Sequence, residues 1–204
     1  MSIRRETVDR LLPRARTGCA DALGQLLELY HNYLELLARL QIGRRLRSKV
    51  DAADLVQETF LDAHATFAAF RGTTERELVG WLRRVMAYNL ASLTRYYCGT
   101  LRRDVGLEQR LTAELDRSSQ AVQEVLVAPC GTPSEDASRR EQAVLLADAL
   151  ARLPSAYREV LVLRELEGLS FPEVARQMGR SVDSVKKLWA RALAQLRGAL
   201  GDES

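Results

Sequence analysis

Apolar residues recur every three or four positions along most of this sequence, a spacing that places them on one face of an α-helix. Helix formers such as Leu, Ala, Arg and Glu dominate, and β-branched residues never alternate over the length of a strand. The first apolar stripe consists of Leu23, Leu26, Leu27, Tyr30, Leu34 and Leu37. The sequence therefore predicts an all-α protein.

Two further helices are predicted before residue 97. One runs from about Asp51 to Phe70, and a short turn follows it. Thr74 and Glu77 then have the spacing of a capping box, in which two side chains satisfy free backbone N–H groups at a helix start. Three helices with aligned apolar stripes can bury one another, so residues 1–97 are predicted to form one small three-helix domain.

A change of composition marks a linker at residues 98–140. Apolar residues become sparse there, and residues 128–138 are rich in Pro, Gly, Ser and Thr, which is typical of turns and disordered segments. A short helix over residues 107–115 is compatible with the pattern. We expect a flexible linker.

Residues 141–204 are predicted to form a second helical domain. Ser170 and Glu173 have the spacing of another capping box, and the short helix that they start ends at a turn around Gly179. A longer helix follows, over residues 182–200. A short helix, a turn containing Gly and a longer helix form the helix-turn-helix pattern, whose second helix enters the DNA major groove.

The last helix has one basic face in a chain whose net charge is only +3. The face predicted to contact DNA consists of Arg180, Ser184, Lys186, Lys187 and Arg191. The opposite face, predicted to lie in the core, consists of Val182, Val185, Trp189, Ala192 and Leu196. A solvated surface of a structural helix pair is the alternative. The capped helix, the Gly turn and the one-sided charge together favour DNA binding.

The helix that begins near residue 51 has an acidic outer face instead. This acidic face consists of Asp51, Asp54, Gln57, Glu58 and Asp62. Like charges four residues apart repel each other by roughly a few tenths of a kcal/mol per pair. Either solvent tolerates this repulsion, or a basic partner surface relieves it.

The third helix combines aromatic and basic residues. They are Trp81, Arg83, Arg84, Tyr88, Arg95, Tyr96 and Tyr97. Aromatic rings stack on unpaired bases, at about 1–3 kcal/mol per base, while arginines follow the backbone of a single strand. Each ring can equally be a core residue, so both interpretations stay open for any one of them.

These segments resemble a known family, the extracytoplasmic-function (ECF) sigma factors of bacterial RNA polymerase. DAADLVQETF at residues 51–60, FRG at 70–72 and WLRRVMAYNL at 81–90 are similar to region 2 of the family. LPSAYREVLVL at 153–163, EGLSFPEVA at 167–175, SVK at 184–186 and RA at 191–192 are similar to region 4. Both regions occur in the family's order, over roughly residues 15–97 and 141–200.

The resemblance implies partners and roles. The acidic face would dock on the clamp helices of the polymerase β′ subunit. The helix-turn-helix would read the −35 element as duplex DNA and lie near the β-flap. The third helix and its flanks would melt and read the −10 element as single-stranded DNA, through Phe70, Arg71, Trp81, Arg84, Tyr88, Asn89 and Arg95. Asn89 is the candidate for contacting a flipped base. An anti-sigma factor is a further partner that the resemblance leaves open.

Two features depart from the family pattern. The linker is longer than in compact members. Leu188 and Trp189 stand where many members have a basic residue followed by Leu, so no particular −35 sequence can be transferred to this chain.

Other classes of function are disfavoured. The sequence lacks phosphate-loop, dinucleotide and metalloprotease motifs, and its two histidines are isolated, so we predict no enzyme, cofactor or metal. Its three cysteines lie far apart, which fits a reducing cytoplasm. No signal peptide is evident, and no stretch approaches the roughly 20 apolar residues of a membrane span. We expect a cytoplasmic protein without membrane insertion.

Two alternatives from other classes stay open. A conventional helix-turn-helix regulator would bind palindromic duplex operators as a dimer, without polymerase. A helical interaction protein would show no salt-dependent DNA binding at all. A sigma factor alone, in contrast, should bind promoter duplex poorly and should need core RNA polymerase.

Overall fold

The computed structural model describes residues 3–45, 50–98, 105–127 and 136–201. These residues form α-helices, one 3-10 turn and one π-helical segment, and no strand occurs among them. The all-α prediction is confirmed. The chain divides into two compact units, Met1–Arg117 and Ser118–Ser204. Their boundary falls inside the segment predicted as a linker.

The first unit contains five helices and the beginning of a sixth. They are α1 (Ile3–Arg16), α2 (Ala20–Glu28), α3 (His31–Arg45), α4 (Ala52–Thr66), α5 (Glu75–Cys98) and α6 (Val105–Val127). A 3-10 turn, Phe67–Ala69, follows α4. Helix α1 was not predicted; it packs on α2 and buries Val8, Leu11, Leu12 and Ala15.

The first predicted helix is in fact two helices. The apolar stripe over residues 23–37 is buried as predicted, but α2 ends at Glu28 and α3 begins at His31. Between them the Tyr30 hydroxyl donates a 2.8 Å hydrogen bond to Glu75 at the start of α5. Burial raises the pKa of Tyr30, so this hydroxyl stays protonated and keeps donating. The break is held by a residue 45 positions away, which explains why local periodicity did not predict it.

Both predicted capping boxes are present. At the start of α5 the Thr74 N–H donates to the Glu77 carboxylate at 3.0 Å, and the Glu77 N–H donates to the Thr74 hydroxyl at 3.3 Å. At the next box the Ser170 N–H and hydroxyl donate to Glu173 at 2.7 and 2.6 Å. Hydrogen bonds from the capped residues lower the pKa of both glutamates. Local sequence chemistry therefore fixes where these two helices begin.

The predicted linker contains a long helix. Where the pattern indicated a short helix over residues 107–115, α6 extends for 23 residues. Leu111, Leu115 and Val122 are fully buried, at the spacing of one helical face. Residues 99–104 and 128–135 of the linker, including Cys130, lie outside the described residues, so linker flexibility stays an expectation.

The second unit carries the helix-turn-helix. After the end of α6 it contains α7 (Asp136–Arg152), α8 (Ser155–Leu161), α9 (Phe171–Met178) and α10 (Val182–Gly201). The last turns of the helix predicted up to residue 167 form a π-helical segment, Val162–Leu166. Gly179 ends α9 with φ of +62°, a left-handed conformation that glycine adopts without strain. Helices α8 and α9 both pack on α10.

Candidate polymerase and DNA interfaces

The acidic face lies on the outside of α4. Asp54, Gln57 and Glu58 are exposed, and Asp62 is half-buried. Asp51 is exposed too, and it caps α4 by accepting a hydrogen bond from the Ala53 N–H. The other side of α4 packs on α3 and α5. The helix is thus anchored by its apolar side and presents its acidic side outward.

No basic side chain among the described residues forms an ion pair with the acidic face. Leu61 lies within it and is 60% exposed. Among the described residues, the neighbouring carboxylates therefore repel one another without a compensating cation. An exposed leucine among unpaired carboxylates gives this face both charge and an apolar contact point.

Three aromatic rings form a cluster where α4 is joined to α5. The ring centroids of Phe70 lie 5.5 Å from Phe67 and 5.2 Å from Trp81, distances at which aromatic rings attract one another. Phe70 is buried and Trp81 half-buried. Both were predicted to contact the −10 element, and the structure brings them together in one aromatic cluster.

The backbone at Gly72 lies so close to the Phe70 ring that only glycine fits at this position. A Cβ atom at that position would lie 2.7 Å from both Cε2 of Phe70 and Cβ of Glu77, closer than real contacts allow. Because Glu77 is held by the capping box and Phe70 by its ring contacts, neither neighbour can easily give way. The physical role of glycine in the FRG segment is therefore to admit the phenyl ring.

Of the five other residues predicted to read the −10 element, three are exposed, Arg95 is half-buried and Asn89 is buried. Arg71, Arg84 and Tyr88 face solvent. Asn89 is only 6% exposed, and its side-chain Nδ2 has no hydrogen-bond partner among the described residues. A buried amide group without a partner is uncommon in folded proteins. This donor is thus available to a ligand only if the surface around it opens.

Two arginines of α5 are held by carboxylates of α6. Arg83 Nε lies 2.7 Å from the Asp116 carboxylate, and its Nη1 donates to the Tyr33 hydroxyl at 3.1 Å. Arg95, a predicted DNA contact, has its Nη1 3.3 Å from Glu108. Neither pair could be predicted from local sequence patterns, since the partners are 33 and 13 residues apart.

A groove of about 550 Å³ runs along this part of the first unit. It lies between the segment that joins α4 to α5, the first half of α5, and α6. Its charged lining consists of Arg71, Arg76, Glu77, Arg83, Arg84 and Asp116. Phe70 and Trp81 supply the aromatic part of the wall. Four cations beside two aromatic rings suit a single nucleic-acid strand.

The basic face of α10 is exposed as predicted. Arg180, Lys186, Lys187 and Arg191 face solvent, and Ser184 is half-buried. Within the described part of the chain no carboxylate forms an ion pair with these four cations. The opposite face is buried through Val185, Ala192 and Leu196. The arrangement leaves unneutralised charge on the helix that would enter a major groove.

Trp189 holds α10 against the helix before it. Its ring meets Phe171 edge-on at 5.5 Å, and its indole Nε1 donates to Glu165 at 2.8 Å. Val182 and Trp189 are half-buried, so only part of the predicted core face is fully enclosed. The indole therefore packs inside the helix-turn-helix.

Two classes of feature are missing from the described ranges. No group of three or more His, Cys, Asp or Glu side chains there is placed to hold a metal ion. Over the same ranges, no helix has the length and apolar character needed to cross a membrane.

Comparison with known proteins identifies both halves of the chain. The family model for sigma-70 region 2 matches residues 29–95, and that for sigma-70 region 4 matches residues 143–196. The ECF RNA polymerase sigma factor BldN of Streptomyces coelicolor is 32% identical over 195 residues, which cover 95% of this chain and 66% of BldN.

Two other similarities extend over nearly the whole chain. The ECF RNA polymerase sigma factor SigM of Mycobacterium tuberculosis is 30% identical over 191 residues, covering 94% of this chain and 83% of SigM. A solved RsbN–BldN complex aligns with 91% of this chain at 29% identity, with a TM-score of 0.31. The chain belongs to the ECF sigma factors, the transcription initiation factors that bind core RNA polymerase and direct it to specific promoters.

Proposed function

We propose that three surfaces of this chain have separate roles in transcription initiation. The acidic face of α4 binds the clamp helices of the polymerase β′ subunit. The groove beside α5 takes the −10 element as a single strand, and the basic face of α10 takes the −35 element as duplex. The observation that carries this proposal is exposed charge of opposite sign on two helices, negative on α4 and positive on α10, with no ion-pair partner among the described residues.

Docking through α4 is supported by the acidic face, whose carboxylates form no ion pair with any basic side chain among the described residues. Asp54 and Glu58 are exposed, so a basic partner surface would remove their repulsion on binding. Leu61, exposed one turn after Glu58, would lose water at the same time.

Reading of the −35 element is supported by the geometry of the helix-turn-helix. Ser184 and Lys187 lie in the first two turns of α10, where recognition helices make their base contacts. Arg180 and Arg191 lie at either end of the basic face and suit phosphate contacts. Proximity of this unit to the β-flap stays a prediction.

Reading of the −10 element is supported by the groove and its aromatic wall. Arg71 and Arg84 are exposed at the groove and can follow a sugar–phosphate backbone. Phe70 and Trp81 give it an apolar side, and Tyr88 adds an exposed ring further along α5. Asn89 would contact a base only after local opening, because its side chain is buried.

The first experiment is reconstituted transcription. Purified protein, core RNA polymerase from the same organism and a genomic DNA library would be combined, and RNA 5′ ends sequenced. We expect discrete starts only when both proteins are present, with shared motifs near −10 and −35. If the protein alone bound duplex sites and active core enzyme gave no new starts, the operator-binding regulator would replace this proposal. The anti-sigma partner, the cytoplasmic location and the domain limits 1–97, 98–140 and 141–204 stay predictions.

A further inference from the structure

We propose that the first half of α6 is a built-in shield for the DNA-reading helix. Its carboxylates neutralise two arginines of α5, Arg83 and Arg95, and compete with the phosphates of a single strand for them. The inference rests on the proposed role of α5 in reading single-stranded DNA. It adds an intramolecular competitor to that role.

The two ion pairs are enclosed on the arginine side. The side chain of Arg83 is 16% exposed and that of Arg95 is 17% exposed. Each guanidinium also has a second hydrogen-bond partner within the first unit, the Tyr33 hydroxyl for Arg83 and the Ser92 hydroxyl for Arg95. A phosphate that approaches either guanidinium would compete with the carboxylate already paired with it.

Asp116 also alters the groove itself. It is 47% exposed and lines the groove together with Arg71, Arg76 and Arg84. The other acidic group in the lining, Glu77, is occupied by the capping box. A phosphate that entered the groove would therefore meet one free carboxylate oxygen of α6 among the arginines, at a cost in electrostatic energy.

DNA phosphates can displace the carboxylates of this shield from the two arginines. Both carboxylates keep contact with water, since the side chain of Asp116 is 47% exposed and that of Glu108 is 25% exposed. Solvent screening weakens such ion pairs, and each one corresponds to roughly a two- to fivefold change in an equilibrium constant. Phosphates arrive along a strand in series, so they can replace both carboxylates together. Burial of Leu111 and Leu115 keeps α6 in place. The carboxylates of α6 therefore stay beside the arginines until a bound strand replaces them.

The test uses the full-length protein and removes the two carboxylates without changing side-chain size. The variants are Glu108→Gln, Asp116→Asn and their combination. Glu6→Gln with Asp9→Asn is the matched control, since both residues are exposed on α1 and the net charge changes equally. The readout is fluorescence anisotropy of a labelled A/T-rich single strand of about ten nucleotides, over a range of salt concentrations.

We expect the double variant to bind the strand about fivefold more tightly than the control. The slope of log affinity against log salt should steepen by about 0.7 for each arginine that gains a phosphate contact. Equal affinities and slopes for the double variant and the control would overturn the shield. If the double variant lost its helical circular dichroism, the single Glu108→Gln variant would be compared with Glu6→Gln by the same criterion.

Failure of the shield can be told apart from failure of the proposed function. Arg84 is exposed and unshielded, so Arg84→Ala should weaken binding of the strand in either background if α5 reads DNA. No effect of Arg84→Ala would count against the DNA-reading role itself.

Discussion

Glu165 accepts a 2.8 Å hydrogen bond from the indole Nε1 of Trp189, and this contact joins the segment before α9 to the recognition helix α10. The π-helical segment that contains Glu165 also brings Arg164 over the ring of Phe171, 4.8 Å from its centroid. Phe171 in turn packs edge-on against Trp189. The orientation of the basic face is thus set by aromatic contacts on the other side of the same helix.

Breaking this hydrogen bond should loosen α10 without removing a DNA contact. We expect Glu165→Ala to lower the free energy of unfolding by about 1 kcal/mol, the usual value of one hydrogen bond. Thermal unfolding and binding of −35 duplex by the polymerase complex would be measured. Weaker duplex binding with normal core-enzyme affinity is the expected outcome. Unchanged duplex binding would mean that the indole contact does not orient the helix.

Gly72 should not tolerate a methyl group. Gly72→Ala is expected to lower the free energy of unfolding by about 1–3 kcal/mol, because the new Cβ would overpack against Phe70 and Glu77. Gly24→Ala in α2 is the control: it meets no atom within 4 Å, and it should raise stability by about 0.5–1 kcal/mol. Chemical denaturation measures both. Equal effects at the two positions would contradict the close approach.

Charge reversal on the acidic face should weaken the complex with core polymerase. We expect Asp54→Arg to reduce core-enzyme affinity about tenfold, because a like charge would then face the basic partner surface. Asp9→Arg on α1 makes the same charge change at another exposed site. Binding of each labelled variant to core enzyme is the measurement. An unchanged affinity for Asp54→Arg would remove the assignment of α4 to the clamp helices.

Removal of one charge from the basic face should lower the affinity for duplex DNA and leave the affinity for core polymerase unchanged. Lys187→Ala is expected to weaken −35 recognition and reduce the salt slope of duplex binding by about 0.9, while core-enzyme affinity stays the same. Arg14→Ala, at an exposed position of α1, provides the control for net charge. Equal loss of duplex and core binding would show that the two surfaces are not separate.

The capping box at the start of α5 should make stability depend on acid pH. Hydrogen bonds from Thr73 and Thr74 lower the pKa of Glu77 below its ordinary 4.5, so the ionised form favours the folded state. This stabilisation is complete above pH 4.5 and is lost as the pH falls through the lowered pKa. Glu77→Gln should therefore flatten the acid side of the curve of unfolding midpoint against pH. A curve as steep as that of the unmodified protein would refute the linkage.

Local chemistry determined much of this protein from sequence alone. The all-α class, both capping boxes, the Gly179 turn and the outward acidic and basic faces follow from residues within four positions of one another. Helical periodicity and helix caps operate over that range, which is why they could be predicted. The resemblance of the two regions to the ECF sigma factors was equally readable, since it rests on contiguous motifs.

Tertiary contacts decided what periodicity could not. Glu75 holds the break between α2 and α3 at Tyr30, and Arg83 is paired with Asp116 on a helix that the sequence indicated only as a short stretch. The same applies to the burial of Asn89 and the bond from Trp189 to Glu165. These outcomes depend on which helical faces pack together, and the hydrogen-bonded partners lie 24 to 45 residues apart in the chain. An apolar stripe predicts that a helical face is buried, but it does not predict which other helix covers that face. Local sequence therefore determined which surfaces exist, and packing decided which of their charged groups are free to bind.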